Sequence, residues 1–151
     1  MSVQQTLVLV KPDAMQRGLI GLVLGRVEQR GLRLIGLKLL RLDEPLARRL
    51  YAAHVDQPFF SGLLAYMTAG PIVAAVFEGP NAVEAVRNAM GATNPIAAAA
   101  GTLRGDYALE IGRNLLHGSD SPEAAEREVA LFFRPQELLA WNRDTDRWII
   151  E

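Results

Sequence analysis

Cysteine is missing from all 151 residues, so neither a disulfide framework nor a thiolate zinc site can stabilise this chain. Histidine occurs twice, at His54 and His117, too few for a buried structural metal site, and any metal is expected to arrive with a substrate. Lysine is nearly absent as well: Lys11 and Lys38 stand against a background of arginine, and the formal net charge is −1. That balance argues against a basic surface for nucleic acid, so no specific nucleic-acid partner is expected. No run approaches the roughly 20 apolar residues of a membrane helix, and Met1-Ser2-Val3-Gln4-Gln5 lacks the pattern of a secretion signal, which together predict a cytoplasmic protein without a membrane partner. There is no Gly-x-x-x-x-Gly-Lys-Ser/Thr loop, no protein-kinase glycine loop and no Gly-x-Ser-x-Gly elbow. If the chain handles phosphate, side chains must supply the donors.

What is present suits one ordered unit, and residues 1–151 are read as a single domain: half the residues are apolar and 22% are charged. Thr6 to Val10 is a short aliphatic run closed by Lys11-Pro12-Asp13, a buried strand with a lysine at its carboxyl end. Ile20, Val23, Leu24 and Val27 recur at helical spacing before Gly31, which predicts a helix over 19–30. Residues 32–42 alternate aliphatics on both faces, as in a strand covered on two sides. Asp43-Glu44-Pro45 opens a short helix leading to Tyr51 and His54. Ile72 to Phe77 reads as a third strand, and Gly79-Pro80-Asn81 as the start of a helix with Val83, Val86 and Met90 inward. Residues 92–114 show no sustained period, with the stretch 97–100 readable as a flexible insertion. Residues 115–117 supply a fourth strand, after which Ser121 caps a helix with Pro122 in its first turn. Trp141, Trp148, Ile149 and Ile150 near the end require cover, from the chain itself or a neighbour. The order βαββαβ predicts an α+β layer sandwich, with helices on one face of an antiparallel sheet.

Histidine titrates near neutrality and its neutral ring is a nucleophile, which makes both histidines candidates. His54 lies in a helix-like segment and reads as a surface or partly packed residue. His117 sits at a strand end beside Gly118, before a well-capped helix and within an arginine-rich stretch. The run His117-Gly118-Ser119-Asp120 also suggests a hydrolase triad, but such triads are assembled from separated segments. Lys11, Arg87, Thr93, Arg104 and Asn114 lie at element ends or in the irregular segment, where they can serve as phosphate donors.

Asn114-Leu115-Leu116-His117-Gly118-Ser119-Asp120 resembles the active-site signature Asn-x-x-His-Gly-Ser-Asp of the nucleoside diphosphate kinases. The resemblance extends in order through Lys11-Pro12-Asp13, Pro58-Phe59-Phe60, Gly70-Pro71, Thr93-Asn94-Pro95, Gly101-Thr102-Leu103-Arg104-Gly105-Asp106 and Glu126-Arg127-Glu128. It implies a ferredoxin-like core with additional helices, and transfer of a terminal phosphoryl group, mainly from ATP, to a nucleoside diphosphate through phosphorylated His117. Helical geometry puts Glu126 and Glu128 on either flank of the apolar face; the family motif selects Glu128 as the partner of the histidine, with Ser119 in the same network. By the same similarity Tyr51 neighbours the histidine, Arg87, Thr93 and Arg104 bind phosphate, and Lys11 and Asn114 contact sugar hydroxyls and phosphate. Phe59 and Ile111, with Leu63 nearby, match positions that hold the base by stacking and apolar contact, which implies tolerance of any base. Mg²⁺ is implied as a cofactor bound mainly through nucleotide phosphates, and a homo-oligomer is implied, a hexamer in preference to a tetramer. A nucleotide-sensing scaffold of the same fold is the alternative, against which the intact set His117, Glu128 and Lys11 speaks.

Overall fold

A computed structural model describes residues 3–151; the Met1-Ser2 part of the reading of the first residues lies outside the described residues. Four strands form one sheet in the order β2-β3-β1-β4, with every neighbouring pair antiparallel. The strands are β1 (Val3–Val10), β2 (Arg33–Arg41), β3 (Pro71–Pro80) and β4 (Leu116–Gly118). Between β1 and β2 run α1 (Pro12–Gln16) and α2 (Ile20–Gln29); between β2 and β3 run α3 (Glu44–Leu50) and α4 (Phe60–Met67). Helix α5 (Ala82–Met90) follows β3, α6 (Leu103–Tyr107) precedes β4, and α7 (Pro122–Phe132) follows it.

The expectation of helices on one sheet face is corrected by where the core sits. Leu7 and Leu9 of β1 pack with Leu50, Phe60, Met67, Val129 and Phe132 from α3, α4 and α7, while Val8 and Val10 pack with Val23, Val27, Val86, Met90 and Leu103 from α2, α5 and α6. Successive residues of a strand point to opposite faces, and β1 is apolar at both parities, so it needs cover on both sides. The added α3, α4 and α7 provide the second layer.

Strand β2 departs from expectation in the opposite sense. Leu37 and Leu39 are 53% and 71% exposed, although the alternation suggested two covered faces. Strand β2 pairs with β3 alone, at the sheet margin; on the Val8 and Val10 face its Leu34 reaches the helical layer, while Leu37 and Leu39 lie beyond it. Gly79 and Pro80 complete β3 instead of opening a helix; α5 begins at Ala82 after Asn81, whose φ is +51°. The segment without a period holds α6, capped by the Thr102 hydroxyl on Gly105 N–H, and a 3₁₀ turn over Pro95–Ala97 capped by Asn94. The stretch read as a flexible insertion carries specific bonds, Thr102 N–H and Oγ1 both donating to Ala99 C=O. Helix α4, which the periodicity did not single out, is apolar around most of its circumference. The tail runs back along β2, Leu139 N–H donating to Ile35 C=O and Trp141 Nε1–H to Leu34 C=O, yet Trp148 remains 78% exposed.

Candidate active site

Antiparallel pairing of β1 with β4 sets Leu9 opposite His117 and Val10 opposite Leu116. Pro12, unable to donate to a ladder, ends β1 and opens α1, so Lys11 is left at the strand terminus beside the residues leading into β4. Gly118 allows the close approach of α5: a Cβ there would collide with Met90 Sδ and stand 3.0 Å from Val86 Cγ1. Ser121 then caps α7, its hydroxyl accepting from Ala124 N–H at 3.0 Å, and the helix turns Glu128 inward while Glu126 stays exposed.

His117 Nε2 lies 2.7 Å from Glu128 Oε1, and Ser119 Oγ donates to the same oxygen at 2.8 Å. Ser119 is anchored to β1 in both directions, its Oγ accepting from Leu7 N–H and its own N–H donating to Leu7 C=O. A carboxylate on Nε2 assigns the ring proton to that nitrogen and leaves the Nδ1 lone pair without it. Burial works against the Glu128 charge, but the hydrogen bond and charge of His117, with Ser119 and Arg127, outweigh it and hold the carboxyl below its usual range. Tyr51 presents its ring edge-on to the imidazole at 6.2 Å between centroids. Its hydroxyl is buried and has no hydrogen-bond partner among the described residues. Burial foremost, then the Glu128 charge, raises the phenol well above its usual value and keeps it a donor.

Donors for an anion gather beside this pair. Lys11 Nζ donates to Asn114 Oδ1 at 2.8 Å, and Asn114 Nδ2 to Thr93 C=O at 3.0 Å. Arg104 is buried and gives Nε to Asn114 C=O, Nη1 to Gly91 C=O and Nη2 to Leu116 C=O. A guanidinium has five N–H groups, so two remain for a ligand. Arg87 donates Nη1 to Gly118 C=O at 3.4 Å. Burial first and the Arg104 charge second lower the Lys11 ammonium to about 7, with Asp13 opposing; burial and Arg87 lower Arg104 to about 10. The site is thus a crowded, desolvated cluster of cations, which an entering anion would relieve.

One backbone feature is strained. Leu115 has φ +77° and is fully buried. A non-glycine residue in this region costs about 1–3 kcal/mol, which its surroundings must offset.

The family model for nucleoside diphosphate kinases matches residues 4–138. Nucleoside diphosphate kinases of Roseiflexus sp. and Roseiflexus castenholzii are 58% and 60% identical, in both cases over 98% of this chain and 99% of the relative. The chain belongs to the nucleoside diphosphate kinase family. The solved structure of a halophilic nucleoside diphosphate kinase from Halobacterium salinarum, in complex with CDP, superposes with a TM-score of 0.96 at 50% identity, covering 99% of this chain and 100% of that one. A nucleoside diphosphate kinase family protein from Babesia bovis superposes with a TM-score of 0.94 at 42% identity, covering 97% and 99%. The activity is accordingly that of a nucleoside diphosphate kinase, a transferase acting on nucleotides.

Within this nucleoside diphosphate kinase the residues singled out from sequence fall into two groups. His117, Glu128, Ser119, Tyr51, Lys11, Asn114 and Arg104 are joined by the contacts above, with Arg87 tied in through Gly118. Phe59 and Ile111 stand outside both cores, 54% and 59% exposed, whereas Leu63 packs partly against the core of the α3, α4 and α7 layer. Thr93 is exposed and joins the group through its carbonyl. His54 is exposed, its ring 5.6 Å from that of Phe59. Sequence reading passed over Asp13 and Tyr66. Asp13 Oδ2 accepts from Leu115 N–H at 3.1 Å, and Oδ1 accepts from the Tyr66 hydroxyl. The only sequence signal for them was the position of Asp13 in Lys11-Pro12-Asp13.

Proposed function

We propose that this nucleoside diphosphate kinase moves the γ-phosphoryl group of a nucleoside triphosphate, mainly ATP, in two displacements through a phosphohistidine on Nδ1 of His117. The observation that carries this is the 2.7 Å contact of Nε2 with Glu128, which leaves Nδ1 as the nucleophile. In the first displacement the Nδ1 lone pair forms a P–N bond while the bond from phosphorus to the β,γ-bridging oxygen breaks, and the diphosphate departs with that electron pair. Glu128 offsets the positive charge gained by the ring. In the second, a terminal β-phosphate oxygen of another nucleoside diphosphate attacks phosphorus and the electrons return to Nδ1. The same site serves both nucleotides, so the kinetics are ping-pong.

Arg87, Thr93 and Arg104 bind the phosphates, Lys11 and Asn114 the sugar hydroxyls and phosphate, and the buried Tyr51 hydroxyl, without a partner among the described residues, donates to a phosphoryl oxygen. Charge spreads over those oxygens during transfer, where fixed cations and donors lower the barrier. Mg²⁺ enters on the phosphate chain of the substrate, consistent with a site whose inward groups are mainly cations and neutral donors. The base rests against Phe59 and Ile111, beside Leu63, in contacts that do not read its hydrogen-bonding edge. Residues 1–151 work as one catalytic unit in the cytoplasm, and no helix among the described residues is long and apolar enough to cross a membrane. Copies assemble as a homo-oligomer, a hexamer before a tetramer.

The test is to mix the protein with Mg²⁺ and labelled ATP without an acceptor. About one phosphoryl group per subunit should appear on His117 as an acid-labile, alkali-stable phosphoramidate. His117→Ala should abolish it and His54→Ala should not. An acid-stable label, or label persisting in His117→Ala, would refute the mechanism.

A further inference from the structure

Leu116 N–H donates to Asn114 C=O at 2.9 Å, and the residue between them, Leu115, has φ +77°. Residues 114–116 therefore form a γ-turn of the rare, strained hand. A leucine does not adopt that backbone unaided. Both backbone groups of Leu115 are held from the segment that ends β1 and opens α1: Lys11 N–H donates to its carbonyl at 2.9 Å, and its own N–H donates to Asp13 Oδ2 at 3.1 Å. The other oxygen of Asp13 accepts from the Tyr66 hydroxyl on α4. Tyr66 is itself held, 9% exposed with the Arg113 guanidinium 4.6 Å over its ring. The turn lies between two working groups. Asn114 before it accepts from Lys11 Nζ, and His117 stands two residues after its centre.

We propose that Asp13 is a positioning residue for phosphoryl transfer: its carboxylate, oriented by Tyr66, clamps the Leu115 γ-turn and thereby sets where the Asn114 amide and the His117 ring stand. The inference rests on the reading that His117 Nδ1 receives the phosphoryl group. The chemistry explains why an acid occupies this place. Both neighbours donate here, one through N–H and one through O–H, and a carboxylate accepts at both points. Asparagine can meet the same geometry, its carbonyl taking Leu115 N–H and its amide donating to the Tyr66 oxygen, because a hydroxyl also accepts. Alanine cannot, and it leaves the Leu115 N–H without a partner.

The experiment follows acid-labile label on the full-length protein in a rapid-quench reaction with saturating Mg²⁺ and γ-labelled ATP. Asp13→Ala is expected to slow the saturating rate constant by about 10- to 100-fold while the final label per folded subunit stays at the parent level, the mark of a misplaced nucleophile. Asp13→Asn should return the rate to within about threefold of the parent, since it keeps both contacts. Tyr66→Phe should slow the reaction on its own and add nothing in the Asp13→Ala background, as expected of two residues acting through one contact. Parent-like rates in Asp13→Ala, an effect confined to half-saturation, or an Asp13→Asn variant as slow as Asp13→Ala would each overturn the clamp. Should Asp13→Ala fail to fold, the other two variants decide: a slow Tyr66→Phe with a near-parent Asp13→Asn supports the clamp, and any other pairing overturns it. Absence of acid-labile label in the parent protein would remove the His117 reading and the clamp with it, an outcome distinct from a labelled parent with unaffected variants.

Discussion

Lys11 is the residue whose chemistry the fold alters most usefully. Lysine normally titrates near 10.5, but burial and the neighbouring Arg104 lower Lys11 to about 7. Below pH 7 the folded protein carries the cost of a buried ammonium; between 7 and 10.5 the unfolded chain binds more protons, so this group makes folding more favourable as pH rises. Nucleotide binding has the opposite sign, because phosphates favour the charged form. Affinity for ADP should therefore weaken as pH rises above 7, by up to about tenfold per unit until the lysine of the complex titrates. Titration calorimetry from pH 6 to 9 checks this against Lys11→Met, which should bind more weakly but lose that part of the slope. An identical slope in the two proteins would show that Lys11 is not the group responsible. Lys11 was legible as a candidate because it closes an apolar strand; its burial and the nearness of the Arg104 charge were not, since both depend on how distant segments pack.

At the scale of elements, α7 and α6 contrast. Ser121-Pro122 announces α7 by local chemistry, a hydroxyl cap and a proline that needs no donor, and the helix begins where expected. Helix α6 is five residues long, too short for a period, and it is fixed by Thr102 and by contacts across the preceding loop. Gly105 lies in it with no room for a side chain: an added Cβ would overlap the Ala99 carbonyl, its carbon only 2.8 Å away. Gly105→Ala should therefore destabilise the protein by about 1–3 kcal/mol, as overpacking does, and lower the unfolding midpoint in a thermal melt. It should also reduce transfer, because α6 carries Arg104. A midpoint equal to the parent's would mean that the loop yields without cost.

At the scale of the whole molecule, the described residues leave some apolar surface uncovered. Leu37 and Leu39 face outward on β2, and Trp148 lies 78% exposed in the tail. A margin strand that presents exposed leucines on one face suits contact with a second copy more than solvent. Native mass measurement should find six copies, and Leu39→Glu should shift the population toward smaller assemblies with the subunit still folded. A parent protein that runs as a monomer would refute assembly, and a Leu39→Glu hexamer would place the contact elsewhere.

Composition and local pattern determined the alternation of strands and helices, the capped start of α7 and, through the Asn114 to Asp120 signature, the family and its histidine. Those are properties of neighbours along the chain, where 2.0 and 3.6 periods and capping chemistry act. Tertiary structure decided the two-sided cover of the sheet, the exposure of Leu37 and Leu39, and the choice of Glu128 over Glu126 on geometric grounds. It also decided the joining of Asp13 and Tyr66 to Leu115, because these depend on antiparallel register and packing between residues as far as 102 positions apart, and no local period encodes such a distance.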